Sequence, residues 1–278
     1  MNNTDTKKVI IVTGASSGIG KETALKLIQQ NHVVYGAARS IEKMKDLENA
    51  GGHSAYLDVT DAQSIEELVS AVINNEGRID VLVNNAGYGL YGSVEDVSLE
   101  DAKYQFDVNV FGLGEMIQKV LPQMRKQQSG TIVNISSIAG KIYMPLGGWY
   151  HASKFAVEGL SDCLRTEVKD FNIKVVLIEP GAIATHFGNT MIPKLKEISE
   201  GGAYETQAKQ VSKLMSSTSE DGSGLKPEKV VDKIITAITS KNPRHRYIIG
   251  TNGKVFVFLK WLLGTRVFDW MITRALKR

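Results

Sequence analysis

Thr13-Gly14-Ala15-Ser16-Ser17-Gly18-Ile19-Gly20 follows the apolar run Lys8-Val9-Ile10-Ile11-Val12 and precedes KETALKLIQQ, residues 21–30, whose apolar positions recur at helical spacing. The order is strand, glycine-rich turn, helix start. Glycine permits the tight turn and lets backbone amides approach a pyrophosphate, while the helix N-terminus adds its partial positive charge. A glycine cluster alone is often only a turn, and the spacing here exceeds G-x-G-x-x-G by one residue. The strand in front and the helix behind favour a nucleotide site. Gly14, Ser16, Ser17, Gly18, Ile19 and Gly20 are therefore expected to line a dinucleotide.

Working outward, short runs rich in β-branched residues predict strands at 8–13, 32–38, 53–58, 79–84, 130–136 and 173–179, with a seventh candidate at Arg244–Gly250. Amphipathic stretches separate them, opened by signals such as Asp61 before AQSIEELVSAV and Pro227 in PEKVVDKIITAI. Right-handed crossovers then give an α/β fold, a Rossmann-type doubly wound parallel sheet of about seven strands with helices on both faces. A chain of 278 residues suits one such domain, 1–278, with extensions. Residues 186–226 break the rhythm with glycine, serine and lysine, and read as a mobile insertion over the site, a substrate lid. Residues 251–278 form an apolar and basic C-terminal extension.

The composition, 42% hydrophobic and 23% charged, is that of a globular chain. A net charge of +3 is too small and too dispersed to argue for a nucleic-acid partner. Cys163 is the single cysteine, and MNNTDTKK lacks the apolar core of a secretory signal, so a cytoplasmic setting is expected. No His, Cys and carboxylate cluster has metal-ligand spacing, and no metal is expected.

At the end of the second predicted strand, where an acidic residue would hold a ribose hydroxyl, stand Ala38, Arg39 and Ser40. A guanidinium and a hydroxyl there suit a 2'-phosphate, so NADP(H) is favoured over NAD. Tyr150-His151-Ala152-Ser153-Lys154 sets a phenol and an ammonium at i and i+4 on one helical face, an arrangement in which the cation draws the phenol's pKa down towards the working range. Ser137 ends the strand TIVNISS at the carboxyl edge, where open α/β sheets place ligands.

Taken together, TGASSGIG, Asn84-Asn85-Ala86-Gly87, Ser137, Y-x-x-x-K and Pro180-Gly181-x-x-x-Thr185 resemble the short-chain dehydrogenase/reductase family over about residues 8–186. The resemblance implies hydride transfer between nicotinamide and a carbonyl or secondary alcohol. By it, Ser137 polarises the carbonyl, Tyr150 donates the proton, Lys154 binds the nicotinamide ribose, and Asn109 links the lysine to solvent. It places Asp58 and Val59 beside the adenine and Asn85, Ala86 and Gly87 along the adenosine half. Pro180, Gly181, Ile183 and Thr185 meet the nicotinamide carboxamide. Asn84 is read as structural.

The other candidates are read blandly. Successive helix residues point about 100° apart, so His151 is expected at solvent or an interface rather than in catalysis. His186 is given a loop role, and Cys163 is a small packing residue. Tyr88, Leu90, Tyr91, Met144 and Trp149 lie near the expected site and lean towards a lipophilic substrate. The tail KVFVFLKWLLGTRVFDWMITRALKR is either amphipathic on a membrane or a helix packed on the protein, and packing is preferred. A small-molecule carbonyl or alcohol substrate and a homodimer or homotetramer are expected. The rival readings are an NADP(H)-binding regulator without turnover and a membrane-bound lipid-modifying enzyme.

Overall fold

The computed structural model describes residues 7–183, 186–220 and 225–276. Elements alternate along the chain as β1 (Val9–Thr13), α1 (Gly18–Gln29), β2 (Val33–Ala38), α2 (Lys45–Asn49), β3 (His53–Tyr56), α3 (Ala62–Glu76), β4 (Val81–Asn84), α4 (Leu99–Phe106), α5 (Gly112–Gln127) and β5 (Gly130–Ile135). They continue with α6 (Gly148–Glu167), β6 (Ile173–Pro180), α7 (His186–Ser199), α8 (Glu205–Glu220), α9 (Pro227–Thr239), β7 (Arg246–Ile249) and α10 (Thr251–Leu276). Every predicted strand is present. Asp61 caps α3 by accepting from the Gln63 N–H at 2.9 Å, and Pro227 occupies the first turn of α9, where its missing N–H costs nothing.

The seven strands form one parallel sheet in the order β3-β2-β1-β4-β5-β6-β7. Because the winding reverses between β1 and β4, the crevice over their carboxyl ends is the topological switch point at which such sheets bind ligands. Both faces are buried. One carries Ile11, Leu82 and Ile132 against Leu68, Met116 and Val157 of α3, α5 and α6. The other carries Ile10, Val12 and Val83 against Leu27 of α1 and Val230 and Ile234 of α9. Continuous burial of β1 and β4 accounts for their unbroken apolar sequences.

Three expectations are corrected. Residues 186–226, read as a mobile insertion that breaks the strand–helix rhythm, carry two helices, α7 and α8, with Gly201 and Gly202 in the bend between them. Their apolar residues look scattered because, among the described side chains, each helix buries only a few, such as Leu195, Ala208 and Val211. Cys163 is exposed on α6, so it does not pack in the core. The tail folds as α10, but it is only partly packed. Gly264, at φ 71° and ψ 178°, breaks it into two arms in a backbone region that only glycine enters without strain. Of its residues only Gly253, Phe268 and Leu276 are buried.

Candidate active site

The glycine turn leaves β1 at Thr13 and enters α1 at Gly18. Gly14 has φ +67°, and a Cβ there would fall 2.9 Å from the Ala86 Cα, so neither its conformation nor its packing admits a side chain. A Cβ on Gly20 would strike the Asn85 amide and the Gly14 carbonyl. Gly18, by contrast, has φ +53° and open space where its Cβ would be. The first turn of α1 carries no acidic residue, and the Ser17 side chain does not cap it. Unclaimed helix N–H groups beside a bare glycine surface are what a pyrophosphate requires, and these residues fit a dinucleotide.

The adjoining β4 end is tied to this turn. Thr13 Oγ1 accepts from the N–H groups of Asn85 and Ala86, each at 3.0 Å, while the Asn85 amide donates to the Thr13 carbonyl at 3.0 Å and to Gly14 at 3.3 Å. Asn85 thus braces the turn, a role its motif alone did not specify. Asn84 is buried and donates to Asn134 at 3.0 Å, which donates to Ser161 on α6 at 2.9 Å. Asp58 Oδ1 accepts from both the N–H and the hydroxyl of Thr60. The Val59 carbonyl lies so close to Gly112 that only glycine fits there.

Arg39 is exposed just past β2, and its Nη1 donates to the Tyr104 hydroxyl on α4 at 3.2 Å. Ser40 follows, half-buried.

At the carboxyl edge of β5, Ser137 Oγ accepts from the Ala139 N–H at 3.0 Å and donates to the Pro180 carbonyl at 3.3 Å. It also hydrogen-bonds Tyr150. Tyr150 and Lys154 share one face of α6, with Lys154 Nζ 6.0 Å from the phenol ring centre. Burial pushes the Tyr150 phenol up to about 12, against the pull of the Ser137 hydrogen bond. Burial likewise brings Lys154 down to about 8, partly opposed by the Glu158 carboxylate. The expected lowering of the phenol by its lysine is not seen here: burial raises it, and the downward pull comes from Ser137. Lys154 Nζ donates to the Ile135 carbonyl at 3.0 Å instead, and the phenol is enclosed by apolar side chains.

Asn109 sits in a π-helical turn, Asp107–Phe111, joining α4 to α5. Its Oδ1 accepts from the Tyr88 N–H at 3.0 Å, and its Nδ2 donates to the Tyr88 carbonyl at 2.9 Å and to Ser153 Oγ at 3.1 Å. Ser153 in turn donates to the Tyr150 carbonyl. A Cβ on Gly87 would stand 3.0 Å from Asn109 Oδ1 and 3.9 Å from Lys154 Nζ, so the glycine leaves the two side chains room to meet.

Pro180 ends β6, and Gly181 pairs with Ile249 through its N–H. Ile183 bridges to Leu225 and packs its side chain into the core. Thr185 and the His186 side chain lie outside the described residues.

Two features were not anticipated. His151 is buried, not at solvent: its Nε2 accepts from the Met144 N–H at 3.1 Å, which leaves Nδ1 to donate to the Ala139 carbonyl at 3.0 Å. Successive helix residues do diverge, but here the 139–144 loop folds over the second direction. The other is a buried acidic pair behind Lys154. Glu158 and Glu179 are held by Lys141 and Arg246, with Lys141 Nζ 2.7 Å from Glu158 and Arg246 Nε 3.1 Å from Glu179. The i+4 spacing of Glu158 from Lys154 was the available signal. Burial and the neighbouring Glu158 push Glu179 up to about 7.

Around the phenol, Tyr91, Ala139, Leu146, Met191 and Leu195 of α7, Ala208 and Val211 of α8, and Leu276 of α10 form one apolar cluster with Tyr150. Among the described residues no group of three or more His, Cys, Asp or Glu side chains is placed to hold a metal ion.

Comparison with known proteins gives a consistent result. The family described as short chain dehydrogenase matches residues 8–196. A 3-ketodihydrosphingosine reductase of Bacteroides thetaiotaomicron is 41% identical over 246 residues, covering 87% of this chain and 88% of that protein. An NADPH-dependent 3-dehydrocapnine reductase of Ornithobacterium rhinotracheale is 32% identical, covering 96% and 97% of the two chains. The crystal structure of a short-chain dehydrogenase from Streptomyces avermitilis superposes with a TM-score of 0.81 at 31% identity, covering 93% of each chain. The Rossmann-type sheet and the turn at Gly14–Gly20 thus belong to a member of the short-chain dehydrogenase/reductase family, an oxidoreductase of carbonyl and alcohol groups.

Proposed function

We propose that this chain is an NADP(H)-dependent reductase of a lipophilic ketone. The observation that carries the reading is the apolar cluster that joins Tyr150 to α7, α8 and α10, since a phenol enclosed by Leu146, Met191, Leu195 and Leu276 suits a substrate with hydrocarbon around its carbonyl. Two relatives are named for reductions of 3-ketodihydrosphingosine and 3-dehydrocapnine, which supports the same direction and substrate type.

Gly14, Ser16, Ser17, Gly18, Ile19 and Gly20 hold the pyrophosphate, Asp58, Val59, Asn85, Ala86 and Gly87 flank the adenosine, and Pro180, Gly181, Ile183 and Thr185 flank the nicotinamide. Arg39 and Ser40 take the 2'-phosphate: the guanidinium has five N–H donors and spends one on Tyr104. When bound, the nicotinamide supplies the hydride. Ser137 directs its hydroxyl to the carbonyl oxygen and Tyr150 gives that oxygen its proton. A phenol held near 12 stays protonated throughout the working range, the state an acid needs. Lys154 binds the ribose and replenishes the proton, and Asn109 fixes the α6 turn through Ser153. The insertion at residues 186–226, which carries α7 and α8, serves as the lid.

The experiment is a steady-state assay of NADPH oxidation with 3-ketodihydrosphingosine, a long-chain ketone and a short-chain ketone. The expected result is a kcat/KM at least about tenfold higher for the long chains, since several buried methylenes are each worth about 0.8 kcal/mol. Equal values for long and short ketones would remove the lipophilic assignment.

A further inference from the structure

We propose that the outward face of α10 docks this protein on the surface of an anionic phospholipid bilayer. A helix that is apolar on all sides is ordinarily buried in a core or in lipid, and α10 is neither. Its inward residues, Phe268 and Leu276, are fully packed, whereas Val255, Phe256, Phe258, Trp261, Leu262, Leu263, Val267 and Trp270 are exposed. The most exposed are large: Trp261 is 78% exposed, Trp270 60% and Leu262 57%. So many large apolar side chains left exposed along one segment mark an interaction site.

The charges select the occupant. From Lys254 to Arg278 the chain carries the cations Lys254, Lys260, Arg266, Arg274, Lys277 and Arg278 against a single carboxylate, Asp269. That carboxylate is engaged by the Tyr143 hydroxyl at 2.7 Å. A second copy laid face to face would set the exposed Lys254, Arg266 and Arg274 against their counterparts, while an anionic headgroup layer pairs with them. Tryptophan rings suit the boundary between headgroups and acyl chains, where one edge is wet and the other apolar. No described helix is long and apolar enough to cross a bilayer, so the contact lies in the interface plane.

The bend at Gly264 sets the second arm on the protein through Phe268, which meets Tyr143 edge-on at 5.4 Å between ring centres. Lys260 fixes the first arm by donating to the Lys141 carbonyl at 2.7 Å. The apolar face is thus anchored on residues 141–143, between Ala139 and Leu146 of the cluster that contains Tyr150. The docking stands on exposure and charge and does not depend on which ketone is reduced.

The test is sedimentation of the full chain with phosphatidylcholine vesicles and with vesicles of equal parts phosphatidylcholine and phosphatidylglycerol, read together with tryptophan emission. Binding to the anionic vesicles should exceed that to neutral ones by at least about tenfold, weaken with salt, and shift the emission to the blue. Trp261→Glu with Leu262→Glu should reduce binding at least about tenfold, because both residues are placed in the apolar layer. Melting temperature and NADPH affinity of that variant should stay unchanged, which separates lost docking from lost folding. Equal partitioning of the variant and the parent would overturn the proposal, and so would equal binding to neutral vesicles. If instead the parent ignores vesicles and forms a dimer that the variant splits, the face belongs to a second copy and the proposal fails.

Discussion

Glu158 follows Lys154 by one turn of α6, both are buried, and the Glu158 carboxylate opposes the burial that brings the lysine down to about 8. This carboxylate is itself neutralised by Lys141 at 2.7 Å and by Arg246 at 3.3 Å, so the lysine's protonation is tied to a charge cluster behind the site. Removing the carboxylate charge leaves burial unopposed. In Glu158→Gln, Lys154 should lose its proton at a lower pH, and the alkaline limb of kcat/KM should move to lower pH while the rate on the acid side is largely kept. A pH profile of both proteins checks this. An unmoved alkaline limb would show that Glu158 does not act on Lys154.

Tyr150→Phe keeps the ring in its apolar cluster and deletes only the hydroxyl that Ser137 bonds. Loss of a positioned proton donor typically costs about 10²–10⁴ in rate. The expected outcome is a kcat lower by that factor with NADPH affinity within about twofold of the parent, since the ring still fills its place. Fluorescence titration and single-turnover kinetics measure the two separately. A variant retaining half the parental rate would remove Tyr150 from proton transfer.

Much of this site is legible in the sequence, for reasons that differ by residue. The strands were readable because burial on both faces leaves no polar alternation in β1 or β4, and Ser137, Tyr150 and Lys154 were findable because each sits at an element end or at a fixed helical offset. His151, Glu179 and Arg246 were not, because their partners lie 7 to 88 residues away in sequence. The same applies to the helices at 186–220, whose few apolar residues meet Tyr150 only through the tertiary fold. The exposure of α10 was the least legible feature: its sequence is equally that of a packed helix, and only three-dimensional placement separates Phe268 from Trp270.

Arg39→Asp replaces a guanidinium beside the 2'-phosphate position with a carboxylate that repels it. NADPH affinity should fall at least about tenfold, the loss of one charge-assisted contact, while NADH affinity holds or rises. Because Arg39 also donates to Tyr104, Tyr104→Phe serves as the control and should change the preference little. Titration of both cofactors against the three proteins decides it. An unaltered preference in Arg39→Asp would return the cofactor assignment to nicotinamide dinucleotides in general.

Glu179 has no exposed surface, and burial beside Glu158 raises it from 4.5 to about 7. The folded state thus holds a proton that the unfolded state has released between pH 4.5 and 7. Stability from this group is complete below about 4.5 and is lost as pH rises through about 7. Glu179→Gln cannot ionise, so its melting temperature relative to the parent should improve on going from pH 5 to pH 8. Thermal melts at the two pH values measure the difference. A constant offset would mean that Glu179 stays ionised when folded, paired with Arg246 at 3.1 Å.

The second arm of α10 rests on Phe268, which is fully buried against Tyr143, with Asp269 bonded to the same tyrosine's hydroxyl. Truncating a buried phenylalanine to alanine costs about 3–5 kcal/mol. Here that cost falls first on the arm, because Gly264 divides it from the rest of the helix and allows it to open alone. In Phe268→Ala, amide exchange across 265–276 should accelerate by about two orders of magnitude or more, each 1.4 kcal/mol being a factor of ten, while the strands of the sheet keep their protection. Leu276 belongs to the cluster around Tyr150, so an open arm also loosens the apolar wall. KM for a long-chain ketone should then rise more than KM for a short one, with NADPH affinity unaffected. If exchange in 265–276 accelerates and both KM values stay put, the arm is anchored by Phe268 but takes no part in holding substrate.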